Sequence, residues 1–268
     1  TAQDLQFSVP GLTMGETTLG SAQVTIRGVG SENVFAGGDP GVPLHIDGHY
    51  IQFPSYMLQD FLDVARVEVQ RGPQGTLYGR NAVGGNINII TNRPTDEFEA
   101  ELGLDLGNYN KRQITGVVSG PLTDRLRARV AFSDEERDGF VENISPLAND
   151  DELLGSDYTS VRASLEYDLT DNIEVFLSGY HYNDDSISWV QRLVGDYPDS
   201  GLYAGLNLPY TNITASDPFK IRADFDHEGS EDAEGASLDI SWDLGALTFN
   251  SLSAYNDAKR AIGKDLDG

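Results

Sequence analysis

The chain has 268 residues, enough for one or two domains with a sizeable core. Its 43 acidic and 18 basic side chains give a formal net charge of −25, a field that repels polyanions, so no nucleic-acid partner is expected. The chain has no cysteine, which excludes disulfides and thiolate metal sites. No run approaches the roughly 18 apolar residues of a spanning helix. The chain is therefore expected to be soluble or to cross a membrane as strands.

The first region, residues 1 to about 94, mixes short β runs with many glycines and prolines. The runs are "AQVTIRGV", "VPLHIDG", "ARVEVQ" and "NINIIT", and "SYMLQDFLDV" predicts one or two helical turns. This composition predicts a small α/β module with long loops. Pro94 marks the end of the region.

From about Phe98 the sequence alternates with a period of two, which is typical of strands with one apolar and one polar face. In "EFEAELGLDLG" the residues Leu102 and Leu104 share a face that excludes Glu101 and Asp105. "IEVFLSGYHY" and "LTFNSLSAY" alternate less cleanly, so their faces stay unassigned. The pattern predicts seven strands at about 98–107, 112–120, 125–135, 158–168, 173–183, 235–244 and 247–257.

The lengths of the connections between strands distinguish two possible architectures. A soluble β-sandwich also has alternating strands, but here tight links follow the second, fourth and sixth strands, and long polar links follow the third and fifth. Short turns at one end and long loops at the other are typical of an outer-membrane β-barrel. Because single-chain bacterial barrels have an even strand number, seven strands predict part of a larger barrel. Tyr167 and Trp242 could join an interfacial aromatic girdle, or only pack locally.

Three stretches then resemble a known family. "TIRGVG", "VPLHIDGHYI" and "DVARVEVQRGPQGTLYGRNAVGGNINIITNRP" are together similar to the plug domain of TonB-dependent outer-membrane receptors. The resemblance implies a plug over residues 1–95 inside an antiparallel β-barrel whose first strands occupy residues 96–268. Nothing before Leu5 resembles the TonB-contact peptide (TonB box) of that family, so the plug is expected to be truncated at its N-terminus.

The resemblance also implies site residues. Arginines at the "IRG" and "RGP" positions, Arg27 and Arg71, would lock the plug to barrel carboxylates beyond residue 268, with Glu68 in the same network. Plug glycines would allow positive φ and close approach to the wall, or only shape turns: Gly28, Gly72, Gly75, Gly79, Gly84 and Gly85. Plug apices would offer ligand-binding groups, or only pack as loops: Phe35, Tyr50, Gln52, Phe53 and Tyr56.

Motifs of enzymes and metal sites lack their structural context. "GVGSEN" has no following helix and no Gly-Lys-Ser/Thr, and no Gly-x-Ser-x-Gly occurs. His45 and His49 lie four apart on a strand and turn, a spacing that does not make zinc ligands converge. No catalytic residue, metal or cofactor is therefore expected.

The function that the resemblance implies is active uptake of a scarce ligand, most often a ferric siderophore, across the bacterial outer membrane. The implied partners are the TonB–ExbB–ExbD complex, outer-membrane lipid and the small-molecule ligand. Cobalamin, oligosaccharides and aromatic compounds remain alternative cargoes. A passive porin or adhesin with a capping domain, and a soluble acidic carbohydrate-binding sandwich, remain alternative functions.

Overall fold

The computed structural model of the chain describes residues 4–16, 22–31, 39–52, 61–144, 152–186, 217, 219–221 and 228–263. Within these ranges no helix is long and apolar enough to cross a membrane. Two helices of four residues each, α1 (Leu5–Ser8) and α2 (Gly75–Tyr78), lie in the first third of the chain. Within the described ranges the other regular elements are strands.

The first region, called the N-terminal module below, contains two small sheets. One has the order β1-β2-β3 and the other β5-β4-β7-β6, where only β4 and β7 pair in parallel. Their bounds are β1 (Leu12–Glu16), β2 (Ala22–Ile26), β3 (Val29–Gly30), β4 (Leu44–Ile46), β5 (His49–Ile51), β6 (Val64–Arg71) and β7 (Gly85–Thr91).

The module has an apolar core, because β-branched residues alternate on the facing strands. Ile26, Leu44, Ile46, Ile87 and Ile89 are each 1% exposed. Three residues of the second region, Tyr158, Tyr182 and Ala233, belong to the same cluster. The core therefore continues from the module onto the sheet beside it.

The helical turns predicted around residues 55–64 fall largely outside the described residues. Where that segment is described, the prediction is wrong: Leu62 and Asp63 form a turn, and Val64 begins β6. Asp63 has a left-handed φ of 59°, a conformation that a right-handed helix does not contain.

The second region forms one antiparallel sheet of seven strands, called the wall below, in the order β17-β16-β14-β13-β10-β9-β8. All seven predicted strands are confirmed, several with longer bounds. They are β8 (Glu99–Leu106), β9 (Arg112–Thr123), β10 (Leu126–Arg137), β13 (Ser156–Thr170), β14 (Ile173–Asp184), β16 (Glu228–Asp243) and β17 (Thr248–Gly263).

The two faces of the wall are inverted relative to those of a soluble sheet. On β13 the residues Arg162, Ser164 and Glu166 are buried, whereas Val161 and Leu165 are 38% and 39% exposed. Register places Ala163 opposite Val130, and Leu165 opposite Leu177, so the exposed apolar face continues across strands. The sandwich prediction required these faces to meet in a dry core, and they do not.

The two strands that alternate less cleanly carry apolar residues on the inner face, the face towards the module. On β14 the inner residues include Phe176, Tyr180 and Tyr182. On β17 the Leu252 side chain comes within 3.6 Å of where a Cβ on Gly48 would lie. Apolar residues here contact the module, which explains why the sequence alternation weakens at these positions.

The connections that follow β10 and β14 meet in a third small sheet of order β12-β11-β15. It consists of β11 (Val141–Asn143), β12 (Glu152–Leu153) and β15 (Lys220–Ile221). Lys220 Nζ lies 2.5 Å from Glu142 Oε2, and Val141, Leu153 and Ile221 form a small core. The links after β10 and β14 are thus joined to each other.

Candidate functional site

A buried ion pair joins the module to the wall. Arg129 on β10 donates from Nε to Asp63 Oδ2 and from Nη2 to Asp63 Oδ1, both at 2.7 Å. The Asp63 and Arg129 side chains are 4% and 10% exposed. Asn92 Nδ2 donates to Asp63 Oδ1 at 2.8 Å and Glu99 lies 3.6 Å from Arg129. A two-pronged arginine–carboxylate contact is among the stronger and more directional bonds in proteins.

A second contact lies where the module's last strand leads into the wall. Arg93 Nη1 lies 2.7 Å from Glu174 Oε1 and 3.2 Å from Glu166 Oε2. Its guanidinium carbon stands 4.3 Å from the ring centroid of Phe176. Glu166 is also 3.0 Å from Arg127 Nη2. The Arg93 side chain is 45% exposed, so each of its contacts is weaker than the Asp63–Arg129 pair.

Inside the module a polar chain ties the glycine-rich stretch to the sheet. His45 Nδ1 lies 2.6 Å from Asn86 Oδ1, Asn86 Nδ2 donates to Gln70 Oε1 at 3.1 Å, and Gln70 Nε2 donates to Tyr78 Oη at 3.1 Å. The His45 ring also meets the Tyr78 ring edge-on, with centroids 5.0 Å apart. These hydrogen bonds connect the loop containing α2 to the sheet through Gln70 and Asn86.

The two module histidines are buried and neutral at physiological pH. Burial lowers the pKa of His49 to about 4, with Asp47 opposing and the charges of Arg162 and His45 adding to the decrease. Burial also lowers the pKa of His45, partly offset by its hydrogen bond to Asn86. Protonation of either ring therefore opposes the folded state.

The glycines of "AVGG" are required by close backbone packing. A Cβ on Gly84 would lie 2.4 Å from the carbonyl oxygen of Val29, and one on Gly85 would lie 2.3 Å from that of Gln70. This close approach is to the module's own backbone rather than to the wall. Gly28, Gly72 and Gly79 have φ of 76°, 93° and 75° with open space around them, and Gly75 begins α2.

The residues predicted to form the lock lie apart from the observed module–wall contacts. Glu68 is half-buried and accepts from Arg66 Nε at 2.7 Å. Arg27 and Arg71 are exposed, and no carboxylate in the described part of the chain pairs with either. Their implied partners would lie beyond residue 268, so the prediction stays open.

Of the predicted apex residues, Phe35, Phe53 and Tyr56 lie outside the described residues. Tyr50 on β5 is half-buried, with the guanidinium of Arg80 5.9 Å from its ring centroid. Gln52 follows β5 and is exposed. A ligand role for these residues stays a prediction.

Sequence reasoning missed Asp63, Arg93 and Arg129 as contact residues. Arg129 lies on the charged face of β10, and that face is the inner one. For Arg93, no local pattern points across the 73 residues that separate it from Glu166.

Comparison with known protein sequences gives one family-model match and two relatives. The family model described as "TonB-dependent Receptor Plug Domain" matches residues 1–86. The pesticin receptor of Yersinia enterocolitica is 34% identical over 134 residues, 50% of this chain and 19% of the receptor. The vitamin B12 transporter BtuB of Vibrio vulnificus is 30% identical over 122 residues, 46% of this chain and 20% of the transporter. The chain thus spans about a fifth of these relatives' length.

Solved structures share the fold over nearly the whole chain. The ferric yersiniabactin uptake receptor FyuA from Yersinia pestis superposes with a TM-score of 0.78 at 23% identity, covering 97% of this chain and 38% of that one. The siderophore receptor PiuA from Acinetobacter baumannii superposes with a TM-score of 0.71 at 18% identity, covering 97% of this chain and 34% of that one.

Proposed function

Since the chain belongs to the TonB-dependent outer-membrane receptors, we propose that it serves the active uptake of a ferric siderophore across the bacterial outer membrane. In this proposal residues 1–95 are the plug and residues 96–268 are the first part of the barrel. The break in sheet pairing between β7 and β8 supports that division.

The observation that carries the proposal is the chemistry of the plug–wall contact. The wall turns its charged face towards the plug and its apolar face outward, as a lipid-embedded barrel requires. Asp63–Arg129 and Arg93–Glu166 then hold the plug by bonds that can be exchanged for bonds to water. A pull on the plug would break these bonds and would also expose the part of the apolar core that Tyr158, Tyr182 and Ala233 of the wall cover.

Energy for that pull would come from the TonB–ExbB–ExbD complex of the inner membrane. A plug that fills the barrel leaves no open pore, so uptake would depend on that energy rather than on a concentration gradient. The outer face of the wall, with Leu102, Leu104, Val130, Leu165 and Leu177 exposed, would contact lipid.

The cargo is proposed from the descriptions of the proteins to which the chain is similar. FyuA is described as a ferric yersiniabactin uptake receptor and PiuA as a siderophore receptor. The ferripyoverdine receptor of Pseudomonas aeruginosa is 27% identical over 142 residues. The likeness to BtuB favours cobalamin as the second candidate. Gln52 and Tyr50 are the described apex residues that we propose face the ligand.

The test is uptake by cells that express the full receptor as their only TonB-dependent receptor. Iron-55 supplied on catecholate, hydroxamate and phenolate-thiazoline siderophores should enter with at least one of them, and a protonophore should abolish entry. Uptake that survives the protonophore would support the passive porin instead. Entry of labelled cobalamin, with none of the iron chelates taken up, would keep the transport mechanism and replace the cargo.

A further inference from the structure

The outer face of the wall changes from apolar to charged at a different level on different strands. One row of directly paired outer residues crosses all seven strands, in the order Leu102, Gly116, Phe132, Val161, His181, Glu234 and Asp257. The first four members, on β8, β9, β10 and β13, are uncharged. The last three, on β14, β16 and β17, are a histidine and two carboxylates. Within this one row the surroundings of the outer face therefore change between β13 and β14.

The parallel rows change at other strands. One row nearer to the end of β8, the first charged member is Asp134 on β10, and the members on β8 and β9 are apolar. In the row after that, Leu106 is apolar and already pairs with Arg112 on β9. One row in the opposite direction, no member in the described strands is charged up to and including Tyr255 on β17. From β8 to β17 the edge of the uncharged surface thus shifts by three rows, from that of Leu106 to that of Tyr255.

The opposite edge of this uncharged surface, at the short turns, shifts in the same sense. It lies at Phe98 directly before β8 and at Leu126 on β10. Leu126 shares a row with Ile240 on β16, where the uncharged outer positions continue to Leu244. Between the two edges each of the seven strands presents four or five successive outer positions, and in the described strands none of them holds Lys, Arg, Asp or Glu. The uncharged surface is therefore a band of nearly constant width with parallel edges.

The inclination and the width of the band both fit a membrane. A shift of three rows corresponds to about 20 Å along the strands, and six strand-to-strand steps correspond to about 29 Å across them. The edges are therefore inclined to the rows by about 35°, which is within the strand tilt of outer-membrane barrels. At this tilt five outer positions span about 22 Å of depth, close to the roughly 25 Å apolar band of such barrels. The tilt comes from the edges and the depth from the width, so two separate observations match one bilayer.

We propose that membrane hydrocarbon meets the wall along this inclined band, so that β8 ends at the bilayer boundary and β17 leaves the bilayer at Asp257. The outer rim of the wall is then slanted. It lies at head-group level at the turn after β8, where Tyr109 is 53% exposed, and rises towards β17, whose residues 257–263 stand clear of the membrane. This inference rests on the outer-membrane location in the proposed function and does not depend on the cargo.

Two pairs of labelled positions test the inclination. The full receptor carries a fluorophore on a single introduced cysteine and is reconstituted into phosphatidylcholine vesicles whose chain ends are brominated, so that quenching is strongest at the bilayer centre. In the first pair, Leu102→Cys and Asp257→Cys, which share one row, the first label should lose most of its fluorescence and the second almost none. In the second pair, Leu106→Cys and Tyr255→Cys, which lie three rows apart, quenching should be equal and intermediate.

Leu104→Cys and Lys259→Cys, which also share one row, repeat the first comparison if a variant of the first pair does not fold. Equal quenching within the first pair, with unequal quenching within the second, would mean that the rows run parallel to the membrane and would overturn the inference. Absence of quenching at all positions would overturn it too, together with the embedded wall of the proposed function. If uptake fails while the expected quenching pattern holds, the transport proposal falls and the inclined band stays.

Discussion

The plug interior and the plug–wall boundary are buried to similar degrees by different chemistry. Ile46 and Ile87 in the plug are each 1% exposed and surrounded by other apolar residues. At the boundary, the Asp63 side chain is 4% exposed and bonded to Arg129. Apolar contacts keep the plug folded as a unit, whereas charged contacts can be exchanged for water. In the proposed function, undocking would exchange the charged contacts for water and would expose only the part of the apolar core that Tyr158, Tyr182 and Ala233 of the wall cover.

The largest expected effect comes from removing one partner of the boundary ion pair. Arg129→Leu leaves the buried Asp63 carboxylate without its cation, which should cost about 3–5 kcal/mol of plug docking. Urea-induced release of the plug in the detergent-solubilised receptor, followed by limited proteolysis, measures this. Arg112→Leu removes an exposed arginine paired with Glu136 and should cost no more than about 1 kcal/mol. Equal losses of docking free energy in the two variants would mean that the boundary ion pair contributes no more than an exposed surface pair.

A cavity in the plug core should act on folding and not on docking. Ile87→Ala deletes buried methyl and methylene groups and should lower the free energy of plug unfolding by about 2–5 kcal/mol. The barrel's heat-modifiable migration on a detergent gel should stay as in the wild type. If the barrel melted together with the plug, the two regions would be one cooperative unit and the comparison would fail.

Whether the outer face of the wall contacts lipid can be tested by placing a charge at two different depths along one strand. Leu165→Arg places a charge near the middle of β13 and should cost about 2–4 kcal/mol of folding free energy in bilayers. Leu169→Arg, on the same face near the strand end, should cost only about 0–1 kcal/mol. Folding titrations into lipid vesicles compare the two. No difference between the positions would argue against an embedded strand.

The smallest effect is a pH dependence of the plug. His49 has its pKa lowered to about 4 in the folded plug against about 6.5 unfolded. The unfolded plug therefore binds more protons between these values, and stability falls as the pH falls through that window. At pH 5 the plug should be about 2 kcal/mol less stable than at pH 8 from this group. Denaturant unfolding at both pH values checks it, and His49→Gln should reduce the difference by that amount.

The wall could be predicted from the sequence because a period of two depends only on neighbouring residues. Leu102 and Leu104 are exposed on the face opposite the charged one, as the alternation indicated. The apolar–polar alternation is weaker around Phe176, Tyr180 and Leu252, where the inner face contacts the plug. Local periodicity carries no information about which part of the protein a strand face contacts.

The contact residues were harder to predict because they are paired over long separations. Nothing near Asp63 indicates Arg129, 66 residues away, and the left-handed turn at Asp63 was mistaken for part of a helix. The family resemblance directed attention to Arg27 and Arg71 instead. The family resemblance pointed to the glycines at positions 84 and 85 as residues that approach the wall, but which backbone they approach depends on tertiary packing.

The most direct test of the account is a double-mutant cycle between Asp63→Asn and Arg129→Gln in the full receptor, read as the free energy of plug release. If a charged contact holds the plug inside the wall, the losses in the two single variants should be strongly non-additive, with a coupling energy of about 2–3 kcal/mol. Losses that add to within about 0.5 kcal/mol would mean that the two residues do not interact. The plug would then be held by something other than this contact.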